Sequence, residues 1–172
     1  MTGRKEGLYL HVFKKVHELS TILAPQIVMA DYEIAIGNPA KAVFPNIRVT
    51  GCIFYYAHAI FKKIRAIGLQ VEYTRNNNPI IRKWCRKFIS MCLFPPNLVR
   101  PEVDKLKAEA NHHSVIAVKQ KMKKFVQYYE RYWMLQRSLE MFSVHGPRYR
   151  TNNVSKSLHS KMSRSMTAHP GF

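Results

Sequence analysis

Apolar residues recur along this chain at two different periods, and the switches between them mark its elements. Leu8, Val12, Phe13, Val16, Leu19 and Leu23 fall at helical spacing until Pro25 ends the run, which predicts an N-terminal helix. The mostly apolar run 26–30 predicts a short buried strand that delivers Asp31 at its end. A helical stretch over 32–44, interrupted by Gly37 and Pro39, leads to a turn at Pro45-Asn46. Residues 47–54 are β-branched and mostly apolar and predict a second strand. A helix is expected over 55–67, with Tyr56, Ile60, Ile64 and Ile67 on one face, Lys62, Lys63 and Arg65 elsewhere, and Gly68 as its stop. Helix alternating with strand predicts an α/β arrangement, with parallel strands joined by crossover helices.

Beyond Gly68 the strand signal fades. Residues 75–79 form a polar loop, and 80–93 place Ile81, Trp84, Cys85, Phe88, Ile89 and Cys92 on one helical face against Arg82, Lys83, Arg86 and Lys87 on the other. Pro95-Pro96 is expected to stop that helix, a short one to follow over 101–110, and a long one over 115–142 with Val118, Met122, Phe125, Val126, Tyr129 and Trp133 as its stripe. The helical spacing of Trp84, Phe88, Tyr129 and Trp133 favours packing over stacking on bases. Residues 145–172 begin with Gly146-Pro147 after His145, contain no Asp or Glu, and read as a partner-dependent helix or a frayed tail. The organisation is thus an α/β segment over 1–70, a helical insertion over 71–144 and a basic segment over 145–172.

Charge changes this picture more than composition does. The chain has 172 residues and 47% hydrophobic positions, enough for a packed core, yet 28 Lys+Arg face 10 Asp+Glu, a net charge of +18. The excess is spread along the whole length. Such a surface attracts polyanions, and DNA contacted nonspecifically through its phosphates is the expected partner. The candidate contacts are Lys62, Lys63, Arg65, Arg82, Lys83, Arg86, Lys87, Arg148, Arg150 and Lys156, with Lys119, Lys121, Lys123, Lys124, Lys161 and Arg164 as further basic positions. No base-reading module accompanies them. The longest charge-free stretches, 19–30 and 49–61, are too short to span a membrane, and residues 1–15 lack the apolar region of a secretory signal. Cys52, Cys85 and Cys92 are odd in number and widely spaced, which suits a reducing, intracellular setting and core positions.

Several segments, taken in order, resemble the transposases of Mutator-like elements, whose catalytic core is ribonuclease-H-like. Asp31-Tyr32-Glu33 matches the family's D-F-E. Phe44-Pro45 followed by Gly51-Cys52-Ile53-Phe54-Tyr55-Tyr56-Ala57-His58-Ala59-Ile60-Phe61-Lys62-Lys63-Ile64 matches F-P-x-x-x-x-x-G-C-x-F-H-Y-x-Q-A-x-x-R-K-I. Gly68-Leu69, Pro95-Pro96 and Tyr128-Tyr129-Glu130-Arg131-Tyr132-Trp133 follow. Thr151-Asn152-Asn153-Val154-Ser155-Lys156-Ser157-Leu158-His159 then stands against T-N-N-x-x-E-x-x-H. The resemblance implies a partial ribonuclease-H-like core of about two strands with flanking helices, a mostly helical insertion, DNA as partner and a nuclear setting.

It also implies what is missing. Family chemistry uses three carboxylates holding two Mg²⁺ ions. Asp31 is the second by this comparison, the first has no counterpart because only one helix precedes Asp31, and Lys156 stands at the third. An ammonium repels Mg²⁺, so no cofactor and no independent catalysis are expected. Asp31 has two readings, a residual ligand and, the favoured one, a solvated carboxylate capping the next helix. In the family's Cys-x-x-His element Cys52 is kept, Tyr55 replaces the histidine, and His58 stands in place of the usual glutamine. A Cys52/His58 metal pair and a buried, inert Cys52 are the two readings of that element. His112-His113 reads as exposed loop, and His159 and His169 match family positions.

Overall fold

The computed structural model describes every residue except 1, 20, 21, 23, 75–78, 149, 154–156, 158, 159 and 162–172. The predicted loop at 75–78, Lys156, His159, Arg164 and His169 therefore lie outside the described residues. Helix α1 (Thr2–Leu19) leads into strand β1 (Ile27–Ala30), helix α2 (Ile34–Val43) and strand β2 (Arg48–Gly51). The strands are parallel, with Ile27 opposite Arg48 and Ala30 opposite Gly51, and α2 is the crossover between them. Helices α3 (Ile53–Ala66), α4 (Gln70–Thr74) and α5 (Pro79–Ser90) follow, the last tightening into a 3-10 turn over Met91–Leu93. Helix α6 (Pro96–Asn111), α7 (Ile116–Tyr129) and the short α8 (Leu139–Phe142) complete a mostly helical molecule with one small parallel sheet.

Three elements differ from the sequence pattern for identifiable reasons. β2 stops at Gly51, because Cys52 takes an extended conformation as the N-cap of α3, and the Ile53 N–H donates at 3.0 Å to the Arg150 carbonyl. α6 starts five residues before the expected helix because Pro96 sits at its first turn, where the missing N–H has no intrahelical role. The expected long helix over 115–142 is broken. After Tyr129 the chain widens into a π-helical turn over Glu130–Leu135, which brings the adjacent Trp133 and Met134 both inward. Ser138 then caps α8, its Oγ accepting from the Met141 N–H at 3.2 Å.

One apolar cluster runs from Tyr32 through Tyr56, Trp84, Phe125 and Trp133 to Val144, so the segments 1–70 and 71–144 share a core. Three of its large aromatic residues pair their polar atoms: the Tyr56 hydroxyl donates to the Phe88 carbonyl and lies 2.8 Å from the Tyr129 hydroxyl, and Trp84 Nε1 donates to the Leu106 carbonyl at 3.0 Å. A smaller cluster of Ala40, Phe44, Ile47 and Val49 ties the sheet to α2, with Phe13 and Val28 against it. No helix among the described residues is long and apolar enough to cross a membrane.

This core makes the protein alkali-sensitive. Burial pushes the thiols of Cys85 and Cys92 up to about 12 from the ordinary 9.0, and it holds the hydroxyls of Tyr56 and Tyr129 well above 10.0. The unfolded chain ionises these groups at their ordinary values, so the native state binds more protons in alkali. The associated stability is present below pH about 9 and is lost as pH rises toward 12. Tm should hold level to about pH 8.5 and fall steeply above about pH 10. The tyrosinate absorbance of Tyr56 and Tyr129 should appear only together with unfolding. A smooth titration of every tyrosine in a chain that stays folded would contradict this.

Candidate sheet-end site and basic faces

Parallel pairing sends the C-terminal ends of both strands to one edge. Ala30 lies opposite Gly51, so Asp31 and Cys52 leave the sheet side by side. Asp31 is exposed. Tyr32 follows in the left-handed region, at φ 66°, which folds its ring back into the core, 5.0 Å from the Trp133 ring centroid, with its hydroxyl donating to the Phe142 carbonyl at 3.3 Å. Glu33 accepts from the Tyr9 hydroxyl at 3.0 Å.

The segment after α8 returns to this edge. Arg48 Nη2 donates to the carbonyls of Ser143 (3.2 Å) and His145 (3.0 Å), and Thr50 Oγ1 donates to that of Ser143 at 3.4 Å. Ser143 Oγ donates to the Phe94 carbonyl at 2.6 Å, and the Val144 N–H to the Cys92 carbonyl at 2.8 Å. Beyond the bond from Ile53 to Arg150, the Cys52 thiol donates to Asn152 Oδ1 at 3.4 Å. Asp31, Cys52 and Asn152, from segments roughly 20 and 100 residues apart, thus converge on one end of the sheet.

The chemistry available there is limited. Asp31 supplies an exposed carboxylate, Cys52 a fully buried thiol and Asn152 an amide. No group of three or more His, Cys, Asp or Glu side chains among the described residues is arranged to hold a metal ion. Cys52 and His58 are not brought together: Cys52 caps α3, whereas the exposed His58 lies about 9 Å further along that helix and roughly 240° around it. Between the two readings of Cys52, its burial and its bond to Asn152 describe a packed thiol.

The basic candidates divide by what they touch. Lys62 and Arg65 on α3 are exposed, while Lys63 Nζ sits 4.6 Å above the Tyr128 ring. On α5, Lys83 and Arg86 are exposed. Arg82 donates through Nε to the Tyr73 carbonyl (3.0 Å) and through Nη2 to that of Thr74 (3.1 Å), which ties down the C-terminal carbonyls of α4. Lys87 pairs with Glu109 at 2.6 Å. These cations rim an open groove of about 520 Å³ along α5, bounded by Pro79 and Ser90. Arg148 and Arg150 are exposed on the returning segment. Lys121 serves the fold: it bonds the Gly68 carbonyl at 3.0 Å and Glu72 at 2.9 Å.

Trp84, Phe88, Tyr129 and Trp133 are all fully buried, so none is available to a base. Sequence reading missed a surface ladder in which the Tyr128 and Tyr132 rings stack at 5.7 Å between Lys63 and Arg137, whose guanidinium lies 4.7 Å from the Tyr132 centroid. The four-residue spacing of two tyrosines on a helix was its signal. Comparison with protein-family models, curated proteins and solved structures finds no match to this chain.

Proposed function

We propose that this chain corresponds to the later part of a Mutator-like transposase catalytic domain, with a partial ribonuclease-H-like core, retained as a DNA-associated module without strand cleavage of its own. The convergence of Asp31, Cys52 and Asn152 at one sheet end carries this reading. Three separate motifs of the resemblance meet where that family's carboxylates would meet. Exposed Lys62, Arg65, Lys83 and Arg86 would bind phosphates and position DNA without reading its sequence. The shared aromatic core also favours a second reading, a host-recruited DNA-binding or protein-interaction module that folds by itself.

The test is duplex-DNA titration across salt, with and without Mg²⁺. Three to four phosphate contacts give a log–log slope of roughly −3, or about a 60-fold loss of affinity between about 50 and 200 mM salt. The variant Lys83→Glu/Arg86→Glu should weaken binding and flatten the slope. Arg82→Ala should lower Tm while leaving the slope nearly unchanged. Salt-independent binding would sink the phosphate reading, and Mg²⁺-dependent nicking by the purified chain would sink the claim that it does not cleave.

A further inference from the structure

Helix α3 carries aromatic side chains outside the core as well as inside it. At roughly 100° per residue, Phe54, His58, Phe61 and Arg65 fall within a sector of roughly 60°. They are turned away from the buried Tyr56, Ile60 and Ile64, and all four are exposed. Phe54 is 53% exposed and Phe61 38%. The two positions stand about 10 Å apart along the helix axis. The Phe54 ring meets Tyr55 edge-on with centroids 5.8 Å apart, and that of Phe61 meets Tyr73 in the same way at 5.5 Å. Such a T-shaped contact engages at most one face of either ring. Phe61 is therefore held in place by Tyr73 and still presents ring surface to solvent.

The surroundings of this line are cationic. No Asp or Glu occurs between Glu33 and Glu72, and Glu72 is itself paired with Lys121 at 2.9 Å. Exposed Lys62 stands beside the line near its C-terminal end, where Arg65 lies. At the other end, the bond from the Ile53 N–H to the Arg150 carbonyl brings exposed Arg150 to the start of α3. The chain has no acid after Glu140. The strand register brings one carboxylate, Asp31, to this end of the helix beside Cys52. No ion pair among the described residues engages Lys62, Arg65 or Arg150.

Charge and ring surface together select the occupant. Exposed cations attract a polyanion, and exposed rings accept flat aromatic groups. In duplex DNA the base faces are covered by their neighbours, whereas an unpaired strand offers both phosphates and open base faces. A lipid surface fits poorly, because His58 and Arg65 share the line with the phenylalanines and would have to sink into the acyl boundary with them. We infer that this face of α3 binds single-stranded DNA. Bases stack on Phe61 and Phe54, and Lys62, Arg65 and Arg150 hold the phosphates. This deepens the DNA-binding reading above and rests on its phosphate contacts.

Fluorescence anisotropy of the full chain tests it, with three labelled probes: an oligothymidine of about 16 nucleotides, an abasic strand of the same length, and a duplex of that length. The oligothymidine should bind at least about tenfold more tightly than the abasic strand, which keeps the phosphates and lacks the bases. Phe61→Leu retains an apolar contact with Tyr73 and removes the ring. It should weaken oligothymidine binding about tenfold, with the salt slope and the melting curve unchanged, and leave the abasic strand and the duplex unaffected. Lys62→Ala/Arg65→Ala should instead flatten the oligothymidine slope by about 1.4, two contacts' worth for a single strand. Equal, steeply salt-dependent affinity for the oligothymidine and the abasic strand overturns the stacking site and leaves the phosphate reading standing. No binding of any of the three probes overturns both. An oligothymidine affinity untouched by Phe61→Leu and by Phe54→Leu also overturns the inference, as does binding to phosphatidylserine vesicles in place of the strand.

Discussion

Gly51→Ala is expected to be among the most destabilising single-methyl changes in this chain. A Cβ at this position would fall within the van der Waals envelope of Cζ, Cε1 and the hydroxyl of Tyr32. The ring has nowhere to retreat, since it packs on Tyr56 and Trp133 and its backbone is already committed to the left-handed region. A cost of roughly 3 kcal/mol, seen as a Tm lower by about 6–12 °C, follows for a domain of this size. Tyr32→Gly removes the ring and tolerates the positive φ. A double-mutant cycle should therefore show the second substitution recovering part of the first, and strictly additive losses would disprove the contact.

Trp133→Ala should cost as much or more. Trp133 is 1% exposed, and its ring meets those of Tyr56 (4.8 Å), Tyr32 (5.0 Å), Tyr132 (5.1 Å) and Phe142 (6.0 Å). Truncating a buried aromatic costs about 3–5 kcal/mol, and the loss here removes the hub between sheet end, α3 and α8. Thermal melting should fall by about 10 °C or more, with collapse of the near-ultraviolet aromatic signal. Trp133→Phe should recover most of both. A Tm unchanged within about 2 °C would mean that the π-helical turn does not present this ring to the core.

The order helix, strand, helix, strand and the parallel sense of the strands were legible because apolar period and crossover length are local properties of the sequence. So was the packing role of Trp84, Phe88, Tyr129 and Trp133, through their helical spacing. The break after Tyr129 was not, because the widened turn exists to bury Met134 alongside Trp133, a tertiary demand without a local residue signal. α4 escaped notice because five residues carry too little periodicity. The charge pattern identified exposed Lys83 and Arg86, but it could not separate them from Arg82 and Lys87, which are engaged by carbonyls of α4 and by Glu109. At the sheet end Asp31 and Cys52 followed from the strands. The return of Asn152 came through backbone bonds to Arg150, Ser143 and His145, and backbone groups are the same in every residue.

That return also sets a timetable for synthesis. Tyr32 waits for Phe142, 110 positions later, Arg48 for Ser143, 95 later, and Cys52 for Asn152, 100 later. At about 5–20 residues per second the ribosome needs roughly 5–20 s to supply those partners. During that interval the nascent β2 and the start of α3 are held by neither. A chain interrupted shortly before Phe142 would contain nearly all of the core residues and still lack the piece that fastens them, so premature termination there should yield a product for proteolysis rather than a smaller domain.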